Sequence, residues 1–259
     1  MKTRKVSEFR KLSIYGFQVT ENSHNFYALL EFDITNVRKY LRERRVSGKS
    51  GSLFAFLLKA IGRCLTIFPD FNSMIDLKRI STFEEVDISI PVEIFKNDEI
   101  FNKQLVIRDI DKKSIADIDN EINQSKKADK NEKAYVPSPF FQKLITMMPN
   151  FIIKPLFNLL IRNHTMVKEL SGTAFVTSVS MFSNIPGYII PYIGKPKSCS
   201  FALGSVYKKP VVINEQITMR EIINITAIFN HDIIDGAPAA RFINQLRKFV
   251  ETEYIDLID

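Results

Sequence analysis

Apolar and polar side chains alternate from Phe26 to Phe32, the period of a strand with one buried face. From Ile34 to Arg45 the period lengthens, with Val37, Tyr40 and Leu41 apolar among Arg and Glu, which predicts a surface helix. A break of Gly and Ser, Ser47 to Ser52, precedes an apolar run from Leu53 to Phe68 that is too long for a typical strand. That run predicts a buried helix, capped by Ser52 or Ser50 and stopped by Pro69. Val86, Ile88, Ile90, Val92 and Ile94 alternate with Asp87, Ser89, Pro91 and Glu93, predicting a half-buried strand in which Pro91 points to an edge or a bulge. Lys112 to Gln124 reads as an exposed helix, and Ser125 to Lys133 as a polar, charged loop.

The most hydrophobic stretch runs from Phe140 to Ile161, inside a segment between Glu132 and Glu169 that holds no acidic residue. Lys143, Lys154 and Arg162 interrupt it and Pro149 and Pro155 break it, so no apolar run reaches the roughly 18 residues needed to cross a bilayer. Two short helices are expected, packed at a subunit interface or over an active-site channel. The alternative is peripheral contact with an anionic membrane surface.

Beyond Thr173 the chain turns strand-rich, with strands expected at Ala174–Met181, Ser200–Val206, Pro210–Ile213 and Thr218–Phe229, the last two separated by the turn Asn214-Glu215-Gln216. A final helix begins after Gly236, with Pro238 near its first turn and Phe242, Leu246, Phe249 and Val250 on one stripe. There is no internal repeat. Strands mixed with a few long helices predict an α+β fold, a mixed β-sheet flanked by helices, with residues 1–259 sharing one core.

Composition narrows this little. With 45% hydrophobic and 25% charged residues the chain is of the ordinary globular kind, not disordered or fibrous. Its two cysteines, Cys64 and Cys199, cannot build a disulfide framework, and the basic N-terminus lacks the apolar core of a secretory signal, so a cytoplasmic location is expected. A net charge of +7 would suit nucleic acid, but the basic residues are dispersed and no nucleic-acid-binding motif accompanies them, so nucleic acid is not an expected partner. A phosphate-bearing small molecule would profit from the same surface. The histidines are far apart in sequence and neither cysteine has a partner at zinc spacing, so no metal site is expected.

Chemistry concentrates in Asn230-His231-Asp232-Ile233-Ile234-Asp235-Gly236-Ala237-Pro238-Ala239-Ala240-Arg241-Phe242. A histidine follows the end of an apolar strand, and four positions later an Asp-Gly pair turns the chain into a helix. A neutral imidazole, with an ordinary pKa of about 6.5, is matched to removing a proton from a thiol or hydroxyl near neutral pH. His231 is therefore the candidate general base, whereas His24 and His164 have no such context and read as structural.

This segment resembles the superfamily of the chloramphenicol acetyltransferases and the catalytic domains of 2-oxoacid dehydrogenase dihydrolipoyl acyltransferases. Phe26 to Thr35, Phe68-Pro69-Asp70-Phe71-Asn72 and Gly172 to Ser180 are similar to that family's early strand, its stop after the buried helix and its Gly-Thr-x-x-x-Ser strand. A region at about 126–163 looks instead like the insertions of free-standing members. The resemblance implies the coenzyme-A-dependent acyltransferase fold and a homotrimer, or a multiple of it, with active sites between subunits. It also implies coenzyme A (as acyl-CoA) as co-substrate and a small-molecule or lipoyl-type thiol or hydroxyl acceptor.

The resemblance further implies roles for single residues. Thr177 would stabilise the oxyanion, with Ser178 in its place if the register slips by one. Asp235 would be a structural carboxylate paired with an N-terminal arginine, Arg4 or Arg10, and Gly236 would give freedom to the strand-to-helix turn. Three departures leave the acceptor open: Asn230 where relatives carry His or Asp, Asp232 where the dehydrogenase members usually carry Arg, and Ser183-Asn184-Ile185-Pro186-Gly187 in place of a Gly-rich loop. Since the chain starts almost directly at this region, either it acts alone on a diffusible acceptor or it is a part of a longer chain, and the Met1 start favours the first. The rival readings are a non-catalytic trimeric scaffold and a membrane-surface-associated lipid-modifying protein.

Overall fold

The computed structural model describes residues 3, 6, 8–20, 23–96, 99–128, 147–179, 186–191 and 194–258. In chain order, α1 (Glu8–Thr20) leads to β1 (Asn25–Asp33), α2 (Thr35–Val46) and α3 (Leu53–Ile67). A short 3-10 turn, Pro69–Phe71, then leads to the hairpin β2 (Ser73–Ile75) and β3 (Ile80–Thr82). Next come β4 (Ile88–Lys96), β5 (Glu99–Ile107), α4 (Ile115–Ala128), α5 (Asn150–Arg162), α6 (His164–Ser171) and β6 (Ala174–Ser178). The chain closes with β7 (Cys199–Ile213), β8 (Gln216–Asn230), α7 (Gly236–Glu251) and α8 (Ile255–Ile258).

Local chemistry explains most of these boundaries. Ser52 caps α3 by accepting a hydrogen bond from the Ala55 amide at 3.0 Å, and the chain leaves the helix just before Pro69. Asn214 and Glu215 have φ of 49° and 64°, the left-handed pair of a two-residue hairpin turn, so β7 and β8 run back to back for their full length. Gly172 has φ 65°, and a Cβ there would stand 2.5 Å from the Asp87 carbonyl oxygen, so a glycine is required where β6 begins.

Strands β1-β8-β7-β6-β4-β5 form one six-stranded sheet. The β6–β7 and β4–β6 pairs are parallel and the others antiparallel, so the sheet is mixed as expected. Its register defines two faces. Leu30, Ile225, Leu203 and Ser178 lie in one row on the face that meets α3 and α7, and Leu29, Thr226, Ala202 and Thr177 lie in the next row on the opposite face.

The core face is knitted by aromatic rings. Phe242 of α7 stacks on Phe71 at 4.5 Å between centroids and on Phe201 at 5.8 Å, while Phe71 meets Phe229 edge-on at 5.5 Å. All four are essentially inaccessible to solvent, and truncating one such ring to alanine costs about 3–5 kcal/mol. This cluster fixes the end of β8 against α7, and the turn between them carries His231.

Several expectations are corrected. The Lys112–Gln124 helix begins at Ile115 and buries Ile115, Ile118 and Ile122, so it is amphipathic rather than exposed. It runs on to Ala128, so residues 125–128 of the expected loop are helical, while 129–133 lie outside the described residues. Pro155 does not break the apolar stretch but sits inside α5, and residues 140–146 of that stretch lie outside the described residues. Strands expected at Ser200–Val206 and Pro210–Ile213 are one strand, β7, with a register shift between Leu203 and Val206. Pro91 does lie where β4 is open on one side, because β4 pairs with β6 only at Ile88 and Ser89.

Helix α5 buries Ile153 and turns Phe151 and Leu159 outward, 76% and 66% exposed. Among the described residues no helix is long and apolar enough to cross a membrane.

Candidate active site

His231 is the first residue past β8, and its position is set by contacts with His24 and Phe26. Its main-chain amide donates to the His24 carbonyl oxygen at 2.7 Å, and its ring packs on Phe26 with centroids 5.1 Å apart. Phe26 in turn lies 5.4 Å from Phe229, so the imidazole rests on an aromatic platform continuous with the core. The side chain remains 55% exposed, open to an incoming reactant.

Nδ1 of His231 faces Asp235 Oδ1 at 3.6 Å. Asp235 precedes α7 in an extended conformation and its side chain makes no capping bond, so the carboxylate is available to the imidazole. Asp235 was expected to pair with an N-terminal arginine; among the described residues no ion pair joins it to Arg10, and the other candidate, Arg4, lies outside them. Gly236 also departs from expectation. Its φ is not in the left-handed region and a Cβ there would meet nothing within 4 Å, so the turn does not need glycine's backbone freedom.

The turn is built by Asn230. This buried residue accepts the Asp232 amide through its side-chain oxygen at 3.0 Å, and its carbonyl accepts from the Ile233 and Ile234 amides. Residues with no functional reading in the sequence surround it. Asp232 takes a hydrogen bond from His24 Nδ1 at 2.7 Å on one oxygen and faces Lys195 Nζ at 3.3 Å on the other. Partial burial opposes ionisation of Asp232, but the bonds from His24 and Lys195 outweigh it and hold the carboxyl below the usual carboxylate range. His24 and Asp232 are 208 positions apart, and only the pairing of β1 with β8 brings them together.

Thr177 and Ser178 are not brought to His231. Thr177 shares a row with Thr226, five residues before His231 and two strands away, hence about 16 Å along the sheet and about 10 Å across it. The two hydroxyl residues also occupy opposite faces, Thr177 outward and Ser178 towards the core. The loop expected at Ser183–Ile185 lies outside the described residues.

Other polar centres are structural. His164 is buried, with Nδ1 2.7 Å from Ser81 Oγ, as its sequence reading suggested. A depression of about 270 Å³ lined by Glu85, Asp87, Arg108, Asp109, Lys168 and Glu169 is occupied by its own ion pairs, Arg108 with Asp87 at 2.8 Å and Lys168 with Glu85 at 2.7 Å. Among the described residues no three His, Cys, Asp or Glu side chains converge to hold a metal ion.

The fold is shared with proteins of known family. Residues 2–137 and 153–257 match the family model of the 2-oxoacid dehydrogenases acyltransferase (catalytic domain). The chain is 24% identical over 259 residues, 97% of its length, to the dihydrolipoyllysine-residue succinyltransferase component of the 2-oxoglutarate dehydrogenase complex of Buchnera aphidicola subsp. Baizongia pistaciae, covering 54% of that protein. It is 24% identical over 232 residues, 87% of its length, to the lipoamide acyltransferase component of the branched-chain alpha-keto acid dehydrogenase complex of Bacillus subtilis, covering 46% of it. It thus spans about half the length of these curated relatives.

Among solved structures, a probable dihydrolipoamide acetyltransferase of Listeria monocytogenes superposes with a TM-score of 0.69 at 21% identity, covering 98% of this chain and 97% of that one. The dihydrolipoamide acetyltransferase of Azotobacter vinelandii superposes with a TM-score of 0.72 at 16% identity, covering 99% and 94%. That structure belongs to an investigation of the catalytic role of a serine, a histidine and an asparagine four positions beyond the histidine. With a family match over nearly its whole length and the fold of these enzymes, the chain belongs to the 2-oxoacid dehydrogenase acyltransferase catalytic-domain family.

Proposed function

We propose that the protein transfers an acyl group between coenzyme A and a thiol or hydroxyl acceptor, a dihydrolipoyl-type thiol being the first candidate, in a site shared by two subunits of a homotrimer. The observation that carries this reading is the half-exposed His231 at the end of β8, with Nδ1 turned to a carboxylate four residues on.

An ionised Asp235 only accepts hydrogen bonds, so it favours the tautomer with the proton on Nδ1 and leaves the Nε2 lone pair to act as base. The contact of 3.6 Å is loose, as such contacts commonly are before a substrate closes over them. In the proposed step Nε2 takes the thiol proton of the acceptor as its sulfur attacks the thioester carbonyl, and the carbonyl electrons move to oxygen. The tetrahedral intermediate collapses, the C–S bond to coenzyme A breaks, and the imidazolium returns the proton to the departing thiolate. A hydroxyl must stabilise the oxyanion, a contribution of about 3 kcal/mol for one donor.

Thr177 or Ser178 would supply that hydroxyl, and the distance across the sheet within one chain requires it to come from a neighbouring subunit. The serine studied in the Azotobacter enzyme precedes its histidine by a separation closer to that of Ser178 than of Thr177, whereas the outward face favours Thr177. The outward apolar side chains of α5 belong to subunit contacts in this reading, because contiguous exposed apolar surface of this kind marks an interaction site.

The test is a thiol-release assay with a panel of acyl-coenzyme A donors and dihydrolipoamide or small hydroxyl acceptors. Turnover that depends on both donor and acceptor supports the proposal. Failure of every pair, with the protein folded and trimeric, favours a non-catalytic scaffold.

A further inference from the structure

We propose that His24, Asp232 and Lys195 form a positioning clamp that fixes the turn carrying His231, and that His24 is a positioning residue for the acyl-transfer step. The inference rests on the reading of His231 as the base.

His24 grips the turn twice. Its carbonyl oxygen receives the His231 amide at 2.7 Å and its Nδ1 meets Asp232 Oδ1 at 2.7 Å, so main chain and side chain of one residue hold two successive residues of the turn. Lys195 holds the other oxygen of Asp232 at 3.3 Å, and its own position is fixed from outside the turn. The Lys195 amide donates to the Thr20 carbonyl oxygen at the end of α1, and Gly194 lies so close that a Cβ there would stand 2.3 Å from Thr20 Cβ. The Asp232 carboxylate thereby ties together the start of β1, the segment seated on α1 and the His231 turn.

Exposure argues that the His24 side chain acts through this contact and not through packing. Its side chain is 83% exposed and adds little to the core, whereas Asp232 is 22% exposed and held ionised between its two partners. Two residues further on, near the start of β1, Phe26 supports the His231 ring itself. The first residues of β1 therefore set the height of the imidazole, and the clamp sets the path of the backbone beneath it. An error near 1 Å in placing a catalytic group can cost about 100-fold in rate, so an exposed bond that stabilises the fold little can still matter to turnover.

Three variants and two readouts test the clamp: His24→Ala, His24→Asn and Lys195→Met, with steady-state kinetics and hydrogen exchange of the His231 amide. Since the side chain is exposed, His24→Ala should fold with a urea midpoint indistinguishable from the parent's. Its kcat should fall about tenfold while KM for acyl-coenzyme A stays within about twofold, and its His231 amide should exchange about tenfold faster. His24→Asn, whose amide nitrogen stands close to where Nδ1 stands, should recover most of both losses, and Lys195→Met should show a smaller effect of the same kind.

Parent kcat and parent exchange in His24→Ala would overturn the clamp, as would a His24→Asn variant no better than His24→Ala. Activity of His231→Ala equal to the parent's would instead sink the base assignment. In that case the exchange readout alone decides whether the clamp exists.

Discussion

The side-chain oxygen of Asn230 accepts the main-chain amide of Asp232 at 3.0 Å, so the residue immediately before the candidate base shapes the turn that presents it. Asn230 is buried and closes the turn with two further bonds to its carbonyl. Asn230→Ala leaves the Asp232 amide without this partner and should lower stability by about 1–3 kcal/mol, read from urea midpoints. Activity should fall further than the folded fraction accounts for.

The oxyanion donor is separable by two substitutions that disturb the strand little, Thr177→Val and Ser178→Ala. The variant that removes the donor should lose about 100-fold to 1,000-fold in kcat, and the other should stay within about threefold of the parent. Equal, modest effects from both would mean that the donor lies elsewhere.

Within one chain the hydroxyl row is about 16 Å along and about 10 Å across the sheet from His231, so the proposed site needs two chains. Mixed oligomers of His231→Ala and the inactive hydroxyl variant, assembled from equal parts, should regain up to about a quarter of the parent activity, since one interface in four then pairs two intact groups. No regain on mixing would contradict a shared site.

Stability should depend on pH through His164. Burial holds this imidazole below the usual histidine range, opposed by the nearby Asp76 carboxylate and reinforced by Arg79. The folded chain then stays neutral at a site where the unfolded chain, with a pKa of about 6.5, takes up a proton as pH falls. This contribution to stability is fully present above about pH 6.5 and is lost on acidification, by at most about 1.4 kcal/mol per pH unit. Urea midpoints at pH 7.5 and 5.5 should differ in that direction for the parent, and by less for His164→Gln.

Elements governed by local chemistry were legible in the sequence. The Ser52 cap, the stop at Pro69 and the Phe242, Leu246 and Val250 stripe of α7 are written within a few residues of one another. The His231-to-Gly236 spacing announced the candidate site for the same reason. What escaped depends on tertiary pairing. Lys208 and Lys209 break the apolar pattern of β7, yet they simply continue a strand already anchored by β8. The buried Ile115, Ile118 and Ile122 are hidden among charges that face solvent. His24 reads as an isolated histidine until the ladder of β1 on β8 sets it beside Asp232, and the loss of glycine's expected role at 236 appears only in the backbone angles.

In the proposed reaction the His231 imidazole takes the acceptor's proton. The most direct test of this step is the rate of acyl transfer from acyl-coenzyme A to dihydrolipoamide by His231→Ala beside the parent, both shown to be folded and in the same oligomeric state. The expected result is a loss in kcat of at least about 100-fold, the scale of general-base catalysis, with little change in KM. A variant as active as the parent would contradict the mechanism.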